Sequence, residues 1–323
     1  MKLQVFSLLI LSTLTNVYAD SINCEHIKPE ISLTLEVQTS IQISEFVQQK
    51  QINDDSEAIE FQTDLTKLLE SDKRKEKNSS SPDYLDAVGK IVMVMSGGYK
   101  TQCSGSLIST KHSESSRVIA SAAHCFGNTK TKQKYNLTSI KWVVKLKSGK
   151  TIEEKLTLRD YNYDEDVAIL TLDSKIPFTT IKPLLIETEV QETSKNLISY
   201  GDKTIVAGYS LNPGIGSFGE KLTYDDTLSY SELSRLEDPK NSYNPILRTV
   251  TYGGASGGAL IVDIDLSEDD VENPYHQKFL AGTLIGGAGD DVHYINQGHK
   301  GSTQSIFSTY YNIINLMIEK YNK

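Results

Sequence analysis

Val250-Thr251-Tyr252-Gly253-Gly254-Ala255-Ser256-Gly257-Gly258-Ala259-Leu260 sets one serine among four glycines. Glycines this dense cost backbone entropy, so the stretch implies a turn that needs positive φ or leaves no room for a β-carbon beside a ligand. Such a turn projects Ser256 outward and aims successive backbone N–H groups at one point, the geometry that stabilises an oxyanion during attack on a carbonyl. Taken alone, the same residues read equally well as a Gly-rich hairpin. The rest of the chain decides between the two.

Gly254-Ala255-Ser256-Gly257-Gly258 also satisfies the G-x-S-x-G elbow of α/β-hydrolases. That fold needs an acid and a His after the serine, together with further strands and a closing helix, and only Ala259 to Lys323 remains to supply them. No run of strands alternating with helices precedes the serine either. The elbow reading is set aside.

Outward from the serine, the chain from Pro82 onward shows short apolar runs with β-branched residues, bounded by Gly, Ser, Asn and Asp. These read as many strands and little helix. Val88 to Met95, Gln102 to Ser109 and Val118 to Cys125 are the first three, at a spacing that predicts an all-β barrel or sandwich. His124 closes the third of these, behind Ser121-Ala122-Ala123, so its ring is expected to be fixed at a strand end. The polar loop Tyr161 to Asp166 then runs into Val167-Ala168-Ile169-Leu170-Thr171-Leu172. An Asp at that junction must find donors, and a His N–H would hold the imidazole in the tautomer able to take a proton from a serine.

The 323 residues are 38% hydrophobic and 23% charged, an ordinary globular composition. The net charge of −9 argues against nucleic acid as a partner, since phosphate binding wants a basic face. Met1-Lys2, the apolar run Val5 to Leu11 and Val17-Tyr18-Ala19 have the three parts of a secretory signal, residues 1–19, with cleavage expected after Ala19. A secreted or periplasmic protein follows, and no segment approaches the length of a membrane span. Residues 20–86 are rich in Gln, Glu, Lys and Ser and end in the charged run Ser71 to Lys77 and the polar run Asn78 to Pro82. They read as a pro-segment or linker.

In an exported chain two of the three cysteines are expected to pair. Cys103 and Cys125 lie 22 positions apart, and closing that loop is worth about 3 kcal/mol in the chain-entropy model. Cys24 is then left over. No Cys-x-x-Cys or His-x-x-x-His spacing points to zinc, and no metal or other cofactor is expected.

The order His124, Asp166, Ser256 is the triad order of chymotrypsin-like proteases. Ser121-Ala122-Ala123-His124-Cys125 resembles that family's Ala-Ala-His-Cys segment, and Cys103-Ser104-Gly105-Ser106-Leu107-Ile108 resembles the strand carrying the partner half-cystine. Asp166-Val167-Ala168-Ile169-Leu170 resembles its Asp-Ile-Ala-Leu-Leu stretch, and Val206-Ala207-Gly208-Tyr209 its Ala-Gly-Trp turn. The resemblance to trypsin-like serine proteases covers roughly residues 88–323.

It implies a peptidase domain over 87–323 made of two antiparallel six-stranded β-barrels, the first over about 87–180 and the second over about 181–323. Pro177 to Pro183 would be the crossover, and Ser302 to Tyr321, with apolar residues at helical spacing, a C-terminal helix. His124 and Asp166 would come from the first barrel and Ser256 from the second. Gly254 and Ser256 would supply the oxyanion N–H groups. Val250 and Thr251 would lie at the floor of the substrate pocket, with Gly282 and Gly286 on the strand that forms its wall. Protein or peptide substrates are the implied partners.

One residue departs from the pattern. Trypsin-like enzymes carry an Asp immediately before the serine, which binds the amine freed on activation, and here Ala255 stands in its place. The identity of the N-terminal residue is therefore expected not to matter for activity. The departure also leaves a second reading, an inactive homologue used as a binding module.

Overall fold

The computed structural model describes residues 70–109, 114–186, 203–212, 214–228, 233–235, 244–265, 276–287, 291–294, 299–302, 304–309 and 313. All belong to one unit, Glu70–Lys323. The expected signal peptide, Cys24 and most of the expected pro-segment lie outside the described residues.

Six strands form a closed antiparallel barrel. After β1 (Lys75–Glu76), these are β2 (Val88–Met95), β3 (Lys100–Ser109), β4 (Ser115–Ser121), β7 (Leu137–Lys145), β8 (Thr151–Asn162) and β9 (Val167–Pro177), with a small ribbon of β5 (Gly127–Asn128) and β6 (Gln133–Lys134) after β4. Pairings run β3 to β2, β7, β8, β9 and β4, and β4 returns to β3. Alternation puts Ile91 and Met93 inside, while β9 is buried on both faces from Val167 to Leu172. Trp142 fills the interior at 0% exposure and donates its indole N–H to Gly105 O at 3.0 Å, so its one polar atom is satisfied.

Cys103 on β3 is bonded to Cys125 just past the end of β4. Cys103→Ala with Cys125→Ala is expected to cost about 3 kcal/mol, read as a lower denaturant midpoint. A change under about 0.5 kcal/mol would contradict this.

The two-residue strand β10 (Leu184–Leu185) comes after β9 in the chain and pairs with β3 on one side and β17 (His276–Gly287) on the other. The second region holds β11 (Lys203–Tyr209), β12 (Leu222–Leu228), β13 (Leu233–Arg235), β14 (Pro245–Leu247), β16 (Ala259–Asp265), β17 (His276–Gly287) and β20 (Ser305–Thr309). They pair in the order β12, β11, β16, β17, β20, β14, β13. A separate three-stranded sheet consists of β15 (Thr251–Tyr252), β19 (His299–Ser302) and β18 (Asp291–Tyr294).

The second barrel is not confirmed, and one expectation changes. No pairing among the described residues closes the second sheet into a barrel. The stretch expected to open a C-terminal helix at Ser302 instead holds β20, which pairs with β17 and β14. Ser-Ile-Phe-Ser-Thr is strand-favouring locally, and an apolar residue every fourth position did not outweigh it. Beyond Thr309 only Ile313 is described, and it is helical and buried.

The charged run from Ser71 to Lys77, read as linker, is packed on the body. β1 pairs with β12, and Lys77 N donates to Leu222 O at 2.9 Å. The Lys77 side chain is buried, ion-paired with Asp86 at 2.5 Å and bonded to Lys145 O at 2.8 Å. That burial holds its pKa below the usual lysine value. A short 3₁₀ helix, Asp83–Ala87, then buries Tyr84, Leu85 and Ala87 before β2 begins. Hydrophilicity alone suggested a tether; the partners that fix these side chains come from distant sequence.

Candidate active site

His124 sits in the 3₁₀ turn Ala123–Cys125 that ends β4. Ala120, Ser121, Ala122 and Ala123 are fully buried, and their small side chains let other chain segments press close to this strand end. Asp166 ends the turn before β9 with φ at 52°, a left-handed conformation that Asp tolerates better than most residues. Its carboxylate accepts from His124 N at 2.8 Å and faces His124 Nδ1 at 2.7 Å. A proton on Nδ1 leaves Nε2 as the basic nitrogen, and one carboxylate fixes both the backbone and the ring. The side chains are 32% and 17% exposed, so the pair lies at a surface and not in the core.

Ser256 lies in the turn that joins β15 to β16. Gly254 and Gly257 have φ of 86° and 80°, which a side chain would strain. A β-carbon at Gly257 would stand 2.2 Å from both Ser104 O and Ser121 Oγ and 3.1 Å from Ala122 N. The serine turn is thus pressed against the residues immediately before His124. Ser104, wholly buried on β3, fastens it: Ser104 N donates to Ser256 O at 2.7 Å, Ser104 Oγ donates to Gly254 O at 3.1 Å, and Tyr209 N donates to Ser104 Oγ at 2.8 Å. A small serine on a strand gave no sequence signal for this role.

Within the turn, Ala255 N donates to Tyr252 O, Gly258 N to Ala255 O and Gly257 N to Leu284 O, at 3.2, 2.8 and 2.7 Å. No bond among the described residues uses the N–H of Gly254 or of Ser256.

Of the expected pocket residues, Val250 and Thr251 are buried at 3% and 7% exposure. Gly282 does not face a cleft: a β-carbon there would meet Ser308 O at 2.5 Å, so this glycine serves the close approach of β20. Gly286 is open, with nothing within 4 Å of a β-carbon. An acid bonded to Thr249, the neighbour of Val250, gave no sequence signal. Asp225 is 2% exposed and accepts from Thr227 N at 3.0 Å, Thr227 Oγ1 at 2.7 Å and Thr249 Oγ1 at 2.9 Å. Among the described residues no group of three His, Cys, Asp or Glu is arranged to hold a metal ion, and no helix is long and apolar enough to cross a membrane.

Residues 71–184 match the lysyl endopeptidase C-terminal domain family. That stretch contains the packed N-terminal arm, the closed barrel, the disulfide, His124 and Asp166; Val250, Thr251 and Ser256 fall outside it. No curated protein matches the chain. Among solved structures, protease Anisep from Arthrobacter nicotinovorans is similar at 14% identity over 77% of this chain and 99% of its own, with a TM-score of 0.49. The thermostable serine protease AL20 from an extremophilic microorganism is similar at 14% identity, over 73% and 97% of the two chains, with a TM-score of 0.46. GrC is 17% identical over 77% and 98%, with a TM-score of 0.49. Likeness at this level carries nothing about activity.

Proposed function

We propose that the chain is an exported serine endopeptidase in which His124 is the general base, Asp166 orients it and Ser256 is the nucleophile. The observation that carries the reading is the doubly bonded His124–Asp166 pair at the strand end against which the Ser256 turn is clamped. A proton on Nδ1 is held by Asp166, so Nε2 can accept the Ser256 proton as Oγ attacks a peptide carbonyl. The N–H groups of Gly254 and Ser256 then receive the oxyanion, and each such donor is worth about 3 kcal/mol in the transition state. His124 returns the proton to the leaving amine, and water releases the acyl-enzyme by the same steps in reverse.

Specificity follows from the floor. Val250 is buried and uncharged. A basic P1 side chain set against it would lose its hydration with no charge at that position to pair with. The lysyl preference named for the matching family belongs to that family, and the match stops before the pocket floor. A peptide-library digest is expected to show cleavage after small or apolar residues, with Glu second because Thr251 can donate to a carboxylate. A profile dominated by Lys or Arg would overturn the assignment and make Asp225 the residue to mutate. No hydrolysis at all by folded protein would contradict the endopeptidase reading.

A further inference from the structure

We infer that Arg74 is a built-in brace for the Ser256 turn, doing from within the N-terminal arm what a freed N-terminal amine cannot do where Ala255 replaces an acid. The inference rests on the protease reading above and adds how its oxyanion turn is ordered. Arg74 is 4% exposed at its side chain, and its guanidinium lies 4.5 Å from the centroid of the Tyr252 ring. It donates to Ser210 Oγ at 2.8 Å and Thr223 Oγ1 at 3.4 Å, and is ion-paired with Asp72 at 2.6 Å.

Each contact leads to the turn. Tyr252 opens it, and Tyr252 O accepts from Ala255 N. Ser210 precedes Leu211, whose N–H donates to Gly253 O at 2.7 Å and whose side chain crowds Gly254, where a β-carbon would meet Cγ at 2.8 Å. Thr223 Oγ1 in turn donates to Gly208 O on β11. One planar cation therefore fixes the Tyr252 ring and the Ser210–Leu211 segment together, which are the two sides between which Gly253 and Gly254 are held. A planar fork stacked on a ring suits this task, and an ammonium does not.

The desolvated charge needs its own partner, and Asp72 supplies it from two residues away. The brace is thus complete within residues 72–74. Ala255, buried at 4% exposure, offers no charge to a mobile amine. An active form must retain the arm through Arg74, so any processing that leaves an active enzyme cuts before Asp72.

The test uses the full-length chain and three variants: Arg74→Met with Asp72→Asn, which removes both charges at nearly constant volume, Arg74→Lys, and Lys75→Ala as a control on the same arm. The double variant is expected to lose about 100-fold in kcat, with KM changed less than about threefold, and to react with a fluorophosphonate correspondingly more slowly. Arg74→Lys should lose part of the rate and Lys75→Ala none. Amide hydrogen exchange at Ala255, Gly257 and Gly258 should quicken in the double variant but not in the control. Unchanged kcat and exchange in the folded double variant would overturn the brace. If that variant does not fold, Arg74→Lys decides by the same readouts, and wild-type kcat there would overturn it. If wild type itself neither hydrolyses peptides nor reacts, the protease reading fails, and exchange alone judges the brace. Fluorophosphonate-labelled protein whose N-terminus lies beyond Arg74 would also contradict it.

Discussion

Ser256→Ala is expected to lower kcat by about 10⁶-fold and Asp166→Asn by about 10⁴-fold, with the fold retained in both. The first removes the atom proposed to attack. The second keeps the shape but changes what the ring can do. Asn offers an amide N–H where a carboxylate oxygen now receives Nδ1–H, which favours the tautomer with Nδ1 unprotonated and Nε2 unable to act as base. Because Asp166 Oδ1 also receives His124 N at 2.8 Å, Asn can keep its carbonyl there and place its NH₂ toward the ring, so the loss should be chemical and not structural. In the proposed mechanism the three residues act as a unit. Adding His124→Ala to Ser256→Ala should lower the residual rate little further. Steady-state kinetics with thermal melts on each variant checks this; multiplicative losses or near wild-type turnover in any single variant would contradict the assignment.

Gly257→Ala is expected to destabilise the protein by about 3 kcal/mol or more and to abolish activity in what remains folded. A left-handed backbone alone costs an alanine about 1 to 2 kcal/mol. The larger part is contact: the new methyl would stand 2.2 Å from Ser104 O and from Ser121 Oγ, and the former is backbone that cannot swing aside. Relief requires the serine turn to lift off β3, breaking the bond from Ser104 N to Ser256 O and opening the space beside His124. Gly286→Ala is the comparison, since nothing lies within 4 Å of its β-carbon. It should change stability by under about 0.5 kcal/mol. Denaturant titration of the two variants separates the outcomes, and equal stabilities would show that the turn does not depend on this contact.

The signals that point to the candidate site are local. His124 and Asp166 each stand where a polar or small-residue segment meets a buried strand, and the glycines around Ser256 announce a turn. The strands of the closed barrel were legible for the same reason, since apolar runs bounded by turn residues mark strands whatever they pair with, but their closure into a barrel came only from the resemblance. Ser305 to Thr309 was not, because Ile306 and Tyr310 fit a helical spacing while the pairing with β17 that makes the segment a strand comes from residues some twenty positions earlier. Arg74 and Lys77 were hidden by their own chemistry. A run of charges reads as solvated until Thr223, Ser210, Tyr252, Asp86 and Lys145 O are brought to it, and all of these but Asp86 are far away in sequence. Asp225 was missed similarly, since an acid in a strand looks exposed until Thr227 and Thr249 enclose it.

The central claim is that Ser256 is a nucleophile activated by His124. The most direct measurement is reaction of the folded full-length protein with a fluorophosphonate, followed by mass-spectrometric location of the adduct. The account predicts a single phosphonylated residue, Ser256, with labelling absent in Ser256→Ala and slowed by orders of magnitude in His124→Ala. An adduct on another serine, or an unreactive Ser256 in protein shown to be folded, would contradict it.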